Sequence, residues 1–444
     1  MAKKEARGEF LSEATKHFLE AIDQPEANTI LEAASQIYCK AAGDIVKGVV
    51  FEALRRTLVV MGQTDFEQAL LIWREIFTNE ANTETLAFIL DHKSDLALFL
   101  INLLEPAKLY DTALGSPMSQ NSHASYRDYN ELDLRKLMNR HAVICQLQRL
   151  AASLSHILLM GKEGKSLEQL VMNTELRSDL DHNGDSLIPA TLTVTAPAGS
   201  LGGSTNHGEK WLFVNGIGGE YFWLQLYCEK LRDTYQRDIQ GVFNRSDGIL
   251  WDLVECAGER DINGKQNPLI QRTQSSTVAQ NILRHELSAA LQDRGSDGFI
   301  VMIAYSQGCL LLRHVLQEFV REDRHREAMA DRLRVFTFGN PSVDWMGTDA
   351  QGNGTPTPLC ERVNLTEHFA NEWDFVAKLG VLRTNQEEVL RRAGYIHDRS
   401  SVFINRDKDW VGHLFGTQYS LRMDYEYGNR SRLLACAGGR AMRR

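Results

Sequence analysis

The chain is 444 residues long, 43% hydrophobic and 24% charged, with a formal net charge of −9. These proportions are those of a globular protein with room for two or three domains and sizeable cores. The acid excess argues against a nucleic-acid partner, which needs a basic face.

The first residues, Met-Ala-Lys-Lys-Glu-Ala-Arg-Gly-Glu, are charged and lack the apolar core of a signal peptide. Residues 10 to about 104 then read as amphipathic helices in succession. Leu11, Ala14, Phe18 and Ile22 mark one stripe; Leu31, Ala34, Ile37, Tyr38, Ala41 and Ile45 mark the next. Thr29 with Glu32 and Thr64 with Glu67 are spaced as capping boxes at helix starts. The longest apolar run, Leu96 to Leu104, is broken by Asn102 and falls far short of the ~20 residues that span a bilayer. A stretch rich in Pro, Ser, Asn and Gly follows to about Asn130. The pattern then predicts a long helix from Leu132 to Met160, stopped by Gly161, and a short one from Ser166, capped with Gln169.

Near residue 180 the pattern changes. Strand candidates are Ile188 to Thr195, Trp211 to Asn215, Ile239 to Phe243, Phe299 to Ala304, Leu333 to Phe338, Val363 to Phe369 and Ser401 to Asn405. Amphipathic stretches such as Thr277 to Leu291 lie between most of them. Such alternation predicts an α/β fold with a mostly parallel sheet, its ligands at the carboxyl ends of the strands. After Glu426 come Arg430, Arg432, Arg440, Arg443 and Arg444 with no acid, expected as a solvated tail, with weak attraction to anionic lipid the alternative. The seven cysteines (Cys39, Cys145, Cys228, Cys256, Cys309, Cys360, Cys436) are scattered and form no Cys-x-x-Cys pair. That pattern suggests neither zinc nor a disulfide framework, and fits a reducing compartment. Together with the missing signal core, it makes a cytoplasmic protein the expectation, or one exported by a route that needs no cleavable signal.

The run Phe299 to Ala304 is apolar, β-branched and too short for a free helix, as a strand buried on both faces reads. Helical spacing takes over after Gly308, with Leu311, Val315, Leu316 and Phe319 on one side. The change falls at Ala304-Tyr-Ser-Gln-Gly308, a variant of the Gly-x-Ser-x-Gly elbow in which a strand turns straight into a helix. Ser306 is left alone at the corner, at the amino end of a helix whose dipole favours developing negative charge. An activated serine needs a base, an acid to orient that base, and donors for an oxyanion. In the order Ser, acid, His, the acids at strand ends are Asp374 and Asp344. The base by position after the last strand is His413, with His397 and His368 as alternatives. The oxyanion donors would be the backbone N–H of Gln307 and one from the loop Asn215-Gly216-Ile217-Gly218-Gly219, that is Gly216 or Ile217. The same loop also reads as a plain turn or a phosphate-cradling nest. Its spacing is not that of Gly-x-Gly-x-x-Gly, and no acid stands at a strand end about 20 residues on, against a dinucleotide site. The stretch Val242 to Asp252 reads as a packed surface loop, or else as a lid or pocket wall.

Residues about 205–425 resemble the α/β-hydrolase superfamily, in particular its lipase-like branch. The likeness is carried by Phe213-Val-Asn-Gly-Ile-Gly-Gly, Ala304-Tyr-Ser-Gln-Gly, Thr337-Phe-Gly-Asn-Pro, and the pair Asn371-Glu-Trp-Asp-Phe-Val-Ala with Gly412-His-Leu-Phe-Gly-Thr-Gln-Tyr. The elbow departs from the family pattern at Ala304. The resemblance implies Asp374 as acid and His413 as base, and a lipid or other acyl ester as substrate. Three segments are therefore expected: a helical regulatory or interaction domain over 1–180, a catalytic domain over 181–425, and a basic tail over 426–444. The expected activity is that of a serine hydrolase of ester bonds that needs no metal or organic cofactor. Its expected partners are a small-molecule or lipid ester, a membrane surface touched peripherally, and a protein bound by the first helices. The competing expectation is an inactive scaffold of this fold that binds a protein through its helical part.

Overall fold

The computed structural model describes residues 131–133, 136–143, 145–146, 189–197, 208–246, 248–258, 274–293, 298–348, 356–382, 401–407, 412–416 and 418–443. Residues 137–143 and 145–146 are helical, within the helix expected from Leu132. The remaining helices expected over 1–180, with their capping boxes, lie outside the described residues.

One sheet contains β1 (Thr191–Val194), β2 (Lys210–Val214), β3 (Ile239–Val242), β4 (Ile300–Tyr305), β5 (Leu333–Phe338), β8 (Leu365–Asn371) and β9 (Val402–Asn405). β6 (Met346–Gly347) and β7 (Thr357–Pro358) pair separately as a small antiparallel ribbon. The helices, in chain order, are α1 (Tyr221–Tyr235), α2 (Ile249–Gly258), α3 (Gln274–Gln292), α4 (Gln307–Arg321), α5 (Arg326–Arg332) and α6 (Phe375–Leu379). The strand order is β1-β3-β2-β4-β5-β8-β9, with β1 antiparallel to β3 and every other pairing parallel. The fold is α/β, with a mostly parallel sheet between helices.

The apolar runs account for the layers. Successive residues of a strand face opposite ways, so a run without polar interruption must be covered on both sides. In β4, Val301, Ile303 and Tyr305 enter one core with Trp223, Leu224, Tyr227 and Leu231 of α1. Ile300, Met302 and Ala304 enter the other, with Leu283 and Leu287 of α3 and Leu311, Val315 and Phe319 of α4. The chain leaves β2 to one side to form β3, then crosses back to form β4 on the other. The carboxyl ends of β2 and β4 therefore flank the point where the strand order reverses, the place where open α/β sheets hold their ligands.

Two expectations are corrected in position. The strand expected over Val363 to Phe369 begins at Leu365, because Leu359–Glu361 forms a 3-10 turn and the Asn364 N–H is taken by the carbonyls of Met329 and Leu333. The Arg-rich end is not a solvated tail. Leu433, Leu434, Cys436 and Met442 are buried in the α1-side core. The buried pair Arg237 and Glu209, 3.0 Å apart, binds the Gly439 and Arg440 carbonyls and the Met442 N–H. Among the described residues, no helix is long and apolar enough to cross a membrane.

Candidate active site

Ser306 stands between the last residue of β4 and the first of α4 with φ 57° and ψ −127°. A non-glycine residue at positive φ is strained, and the surroundings must hold it there. Here the Ser306 N–H donates to the Phe338 carbonyl at 2.8 Å, and the Ser306 carbonyl accepts from Cys309 N–H at 2.8 Å. Two glycines let the elbow close. A Cβ on Gly308 would lie 2.7 Å from the Asn215 carbonyl oxygen and 2.8 Å from that of Val214. One on Gly216 would lie 2.3 Å from Ser306 Cβ and 2.9 Å from its Oγ. The glycine loop after β2 therefore lies directly against the serine.

His413 and Asp374 meet Ser306 across the carboxyl edge. His413 Nε2 is 2.6 Å from Ser306 Oγ, and His413 Nδ1 is 2.8 Å from Asp374 Oδ2. Asp374 caps α6, its Oδ1 accepting the Val376 N–H at 2.9 Å. Its Oδ2 also accepts the Tyr419 hydroxyl at 2.5 Å. With the carboxylate acting as acceptor throughout, Nδ1 carries the imidazole proton and Nε2 is left to accept from the serine. All three side chains are buried. Gly339, at φ +58°, makes room for the imidazole and its acid: a Cβ there would lie 2.9 Å from His413 Cε1 and 3.0 Å from Asp374 Oδ2.

The loop facing the serine is fixed by side chains. Asn215 Oδ1 accepts the Asn244 N–H at 2.8 Å, and its Nδ2 donates to the Asn244 carbonyl at 2.7 Å. The Gly218 N–H is taken by Asp252 Oδ2 at 2.8 Å, which also accepts the Ser246 hydroxyl. Gln307 is held through its side chain by Asn244 at 2.8 Å and by Glu255 and Ser276, both at 3.1 Å. As the first residue of α4 it has a backbone N–H with no acceptor inside the helix. Gly216 and Gln307 thus lie beside Ser306, with Ile217 next in the same loop, whereas the Gly218 N–H is engaged elsewhere.

Asp344 is not brought to the serine. Its Oδ2 lies 3.9 Å from Arg313 Nη1 and its Oδ1 accepts the Met346 N–H at 3.4 Å. His368 is packed inside β8, 2.6 Å from Thr337 Oγ1 and edge-on to Trp345. His397 lies outside the described residues. Within the stretch Val242 to Asp252, Asn244, Ser246 and Asp252 are buried against the glycine loop.

Sequence reasoning passed over several residues. Tyr305, in the elbow itself, donates its hydroxyl to the His413 carbonyl at 2.5 Å, and its ring lies 4.9 Å from the imidazole. Tyr419 closes the His413 motif, and an aromatic residue six positions after a candidate base was its one local signal. Asn215 stands in the glycine loop already singled out, but its pairing with Asn244 carries no local signal, because the two lie 29 positions apart. No protein-family model matches this chain, and no curated protein matches it either.

Proposed function

We propose that the chain is a serine hydrolase of ester bonds, an α/β-hydrolase of the lipase-like kind. The observation that carries the reading is the hydrogen-bonded series from Ser306 through His413 to Asp374, at 2.6 Å and 2.8 Å. The strained elbow and the strand order, with its reversal between β2 and β4, support it as well.

Ser306 Oγ attacks the ester carbonyl as His413 Nε2 takes its proton, and the carbonyl π pair moves to oxygen. Asp374 holds the imidazole in the accepting tautomer and stabilises the imidazolium. N–H groups of Gln307 and of Gly216 or Ile217 receive the oxyanion at the positive end of α4. The imidazolium returns its proton to the departing alkoxide, and water, deprotonated by the same nitrogen, releases the acid. The preferred substrates are lipid or acyl esters. Buried Cys228, Cys309 and Cys436 suit a reducing, cytoplasmic setting. Residues 1–180 are assigned a helical regulatory or interaction role.

Labelling by a fluorophosphonate, which reports an activated serine without any substrate choice, tests the reading. The wild-type chain should label at Ser306, and Ser306→Ala should not label while melting normally. Equal labelling of both would remove Ser306 as the activated serine, and a wild-type chain that does not label would favour an inactive scaffold.

A further inference from the structure

The loop that carries His413 is tied through the carbonyls of residues 412–416 and the N–H groups of Leu414 and Gly416. Asn371 Nδ2 donates to the Gly412 carbonyl at 3.2 Å, Tyr305 to the His413 carbonyl, and the Leu414 N–H to Gln418 Oε1 at 2.9 Å. Gly416 is gripped from both sides by charged side chains. Its N–H donates to Glu131 Oε1 at 3.0 Å, and its carbonyl accepts from Lys230 Nζ at 2.7 Å. Lys230 also reaches the Phe415 carbonyl at 3.3 Å, and the Tyr227 hydroxyl donates to Glu131 Oε1 at 3.3 Å. Lys230 and Tyr227 belong to α1. Glu131 comes from far before the sheet, 285 positions from Gly416.

Both charged groups are out of water, Glu131 at 0% and Lys230 at 6% exposure. Burial pushes the Glu131 carboxyl up to about 7 and the Lys230 ammonium down to about 8. Glu131 Oε2 has no hydrogen-bond partner. A fold seeking stability alone would do as well with an apolar pair at this place. What the pair does hold is a rigid block. The Phe415 ring, between the grip and His413, packs within 5.5 Å of the rings of Phe213, Tyr227, Tyr305 and Phe338. A shift at Gly416 is passed on to the imidazole through that block. The stretch bearing Glu131 seats on the other side of the site too, where Gln146 Nε2 donates to Glu220 Oε1 at 3.0 Å, beside Gly219, and Trp223 Nε1 donates to Asn139 Oδ1 at 3.1 Å.

We propose that Glu131 is a positioning residue for His413: its hydrogen bond to the Gly416 N–H fixes the loop that aims the imidazole at Ser306, so the reactive geometry depends on a residue from outside the sheet-bearing part of the chain. The proposal rests on the serine hydrolase reading. It predicts a dependence on reach rather than on charge. Glu131→Asp keeps the carboxylate but draws it back by about one bond length from the Gly416 N–H. Glu131→Gln keeps an oxygen at the same reach and loses the charge.

The full chain and both variants are compared by fluorophosphonate labelling rate, by kcat and KM on p-nitrophenyl butyrate, and by thermal melting. The expected result is a roughly 10- to 100-fold lower kcat and labelling rate in Glu131→Asp, with KM nearly unchanged, as misplacement of a reacting group produces. Glu131→Gln should remain near the wild-type rate. Equal rates in all three chains would overturn the proposal, as would an active Asp variant beside an inactive Gln variant. So would losses that merely follow the melting temperatures. A wild-type chain that neither labels nor turns over ester would instead remove the hydrolase reading, and this proposal with it.

Discussion

Replacing Asp374 by Asn places an amide where a carboxylate now meets three donors. Oδ1 faces the Val376 N–H at 2.9 Å, and Oδ2 faces both His413 Nδ1 at 2.8 Å and the Tyr419 hydroxyl at 2.5 Å. The amide has one oxygen to offer. If it stays beside Val376, the NH2 group confronts two donors and drives His413 into its other tautomer. Nε2 then carries a proton and cannot take one from Ser306. If the amide turns over, the NH2 group confronts the Val376 N–H and α6 loses its cap. In sites of this logic, losing the orienting acid lowers kcat by roughly 10⁴-fold, about 5 kcal/mol of transition-state stabilisation. The cap contributes only about 0.5–2 kcal/mol, and to stability rather than to rate. Labelling rate and melting temperature therefore separate the two effects. Asp344→Asn is the companion variant. It disturbs the Arg313 contact and the Met346 N–H, so it should lower the melting temperature and leave the labelling rate close to wild type. A rate loss below about tenfold in Asp374→Asn, or a greater loss in Asp344→Asn, would refute this account of the acid.

Gly216→Ala should abolish labelling and also lower the melting temperature, since its Cβ would lie 2.3 Å from Ser306 Cβ and 2.9 Å from the Tyr305 carbonyl oxygen; labelling of that variant at the wild-type rate would mean that the loop yields. Tyr419→Phe removes one of three bonds to Asp374 and should lower kcat by about tenfold, an interaction on the order of 1.4 kcal/mol; an unchanged kcat would make the hydroxyl a packing feature only. The unfolded chain ionises Glu131 near the ordinary carboxyl value of 4.5, and burial holds the folded one up to about 7. Its contribution is thus present below pH 4.5 and is lost as pH rises to 7. Denaturant titrations should show Glu131→Gln flattening the stability curve across that window, and parallel curves for the two chains would contradict it.

The parts of the fold readable in advance were those whose cause is local. Phe299 to Ala304 had to be a doubly covered strand because nothing in it tolerates water, and Ser306 stood out because the period changes around it. β8 was harder. Its Thr366, Glu367 and His368 are all buried, and each is polar. Glu367 is satisfied by the Ser431 hydroxyl and the Arg432 N–H, more than 60 positions away, so the strand reads as half-exposed until that partner is known. The same reason hid the Asn215 and Asn244 staple and the reach of Glu131 to Gly416. Asp374 and Asp344 both stood at strand ends, and the sequence offered no distance by which to choose between them.

The clasp between Arg237, Glu209 and residues 439–442 bears on how the chain is made. Arg237 and Glu209 flank the start of the parallel sheet and are synthesised some 200 residues before their last partners, the Gly439 and Arg440 carbonyls and the Met442 N–H. Until those emerge, the Arg237–Glu209 pair keeps its own 3.0 Å contact but lacks the three backbone partners that complete it at the amino-terminal edge of β2. The last contacts of this edge therefore form only after every strand of the sheet has been synthesised. A chain that stops before residue 439 would lack all three of these backbone contacts to the pair.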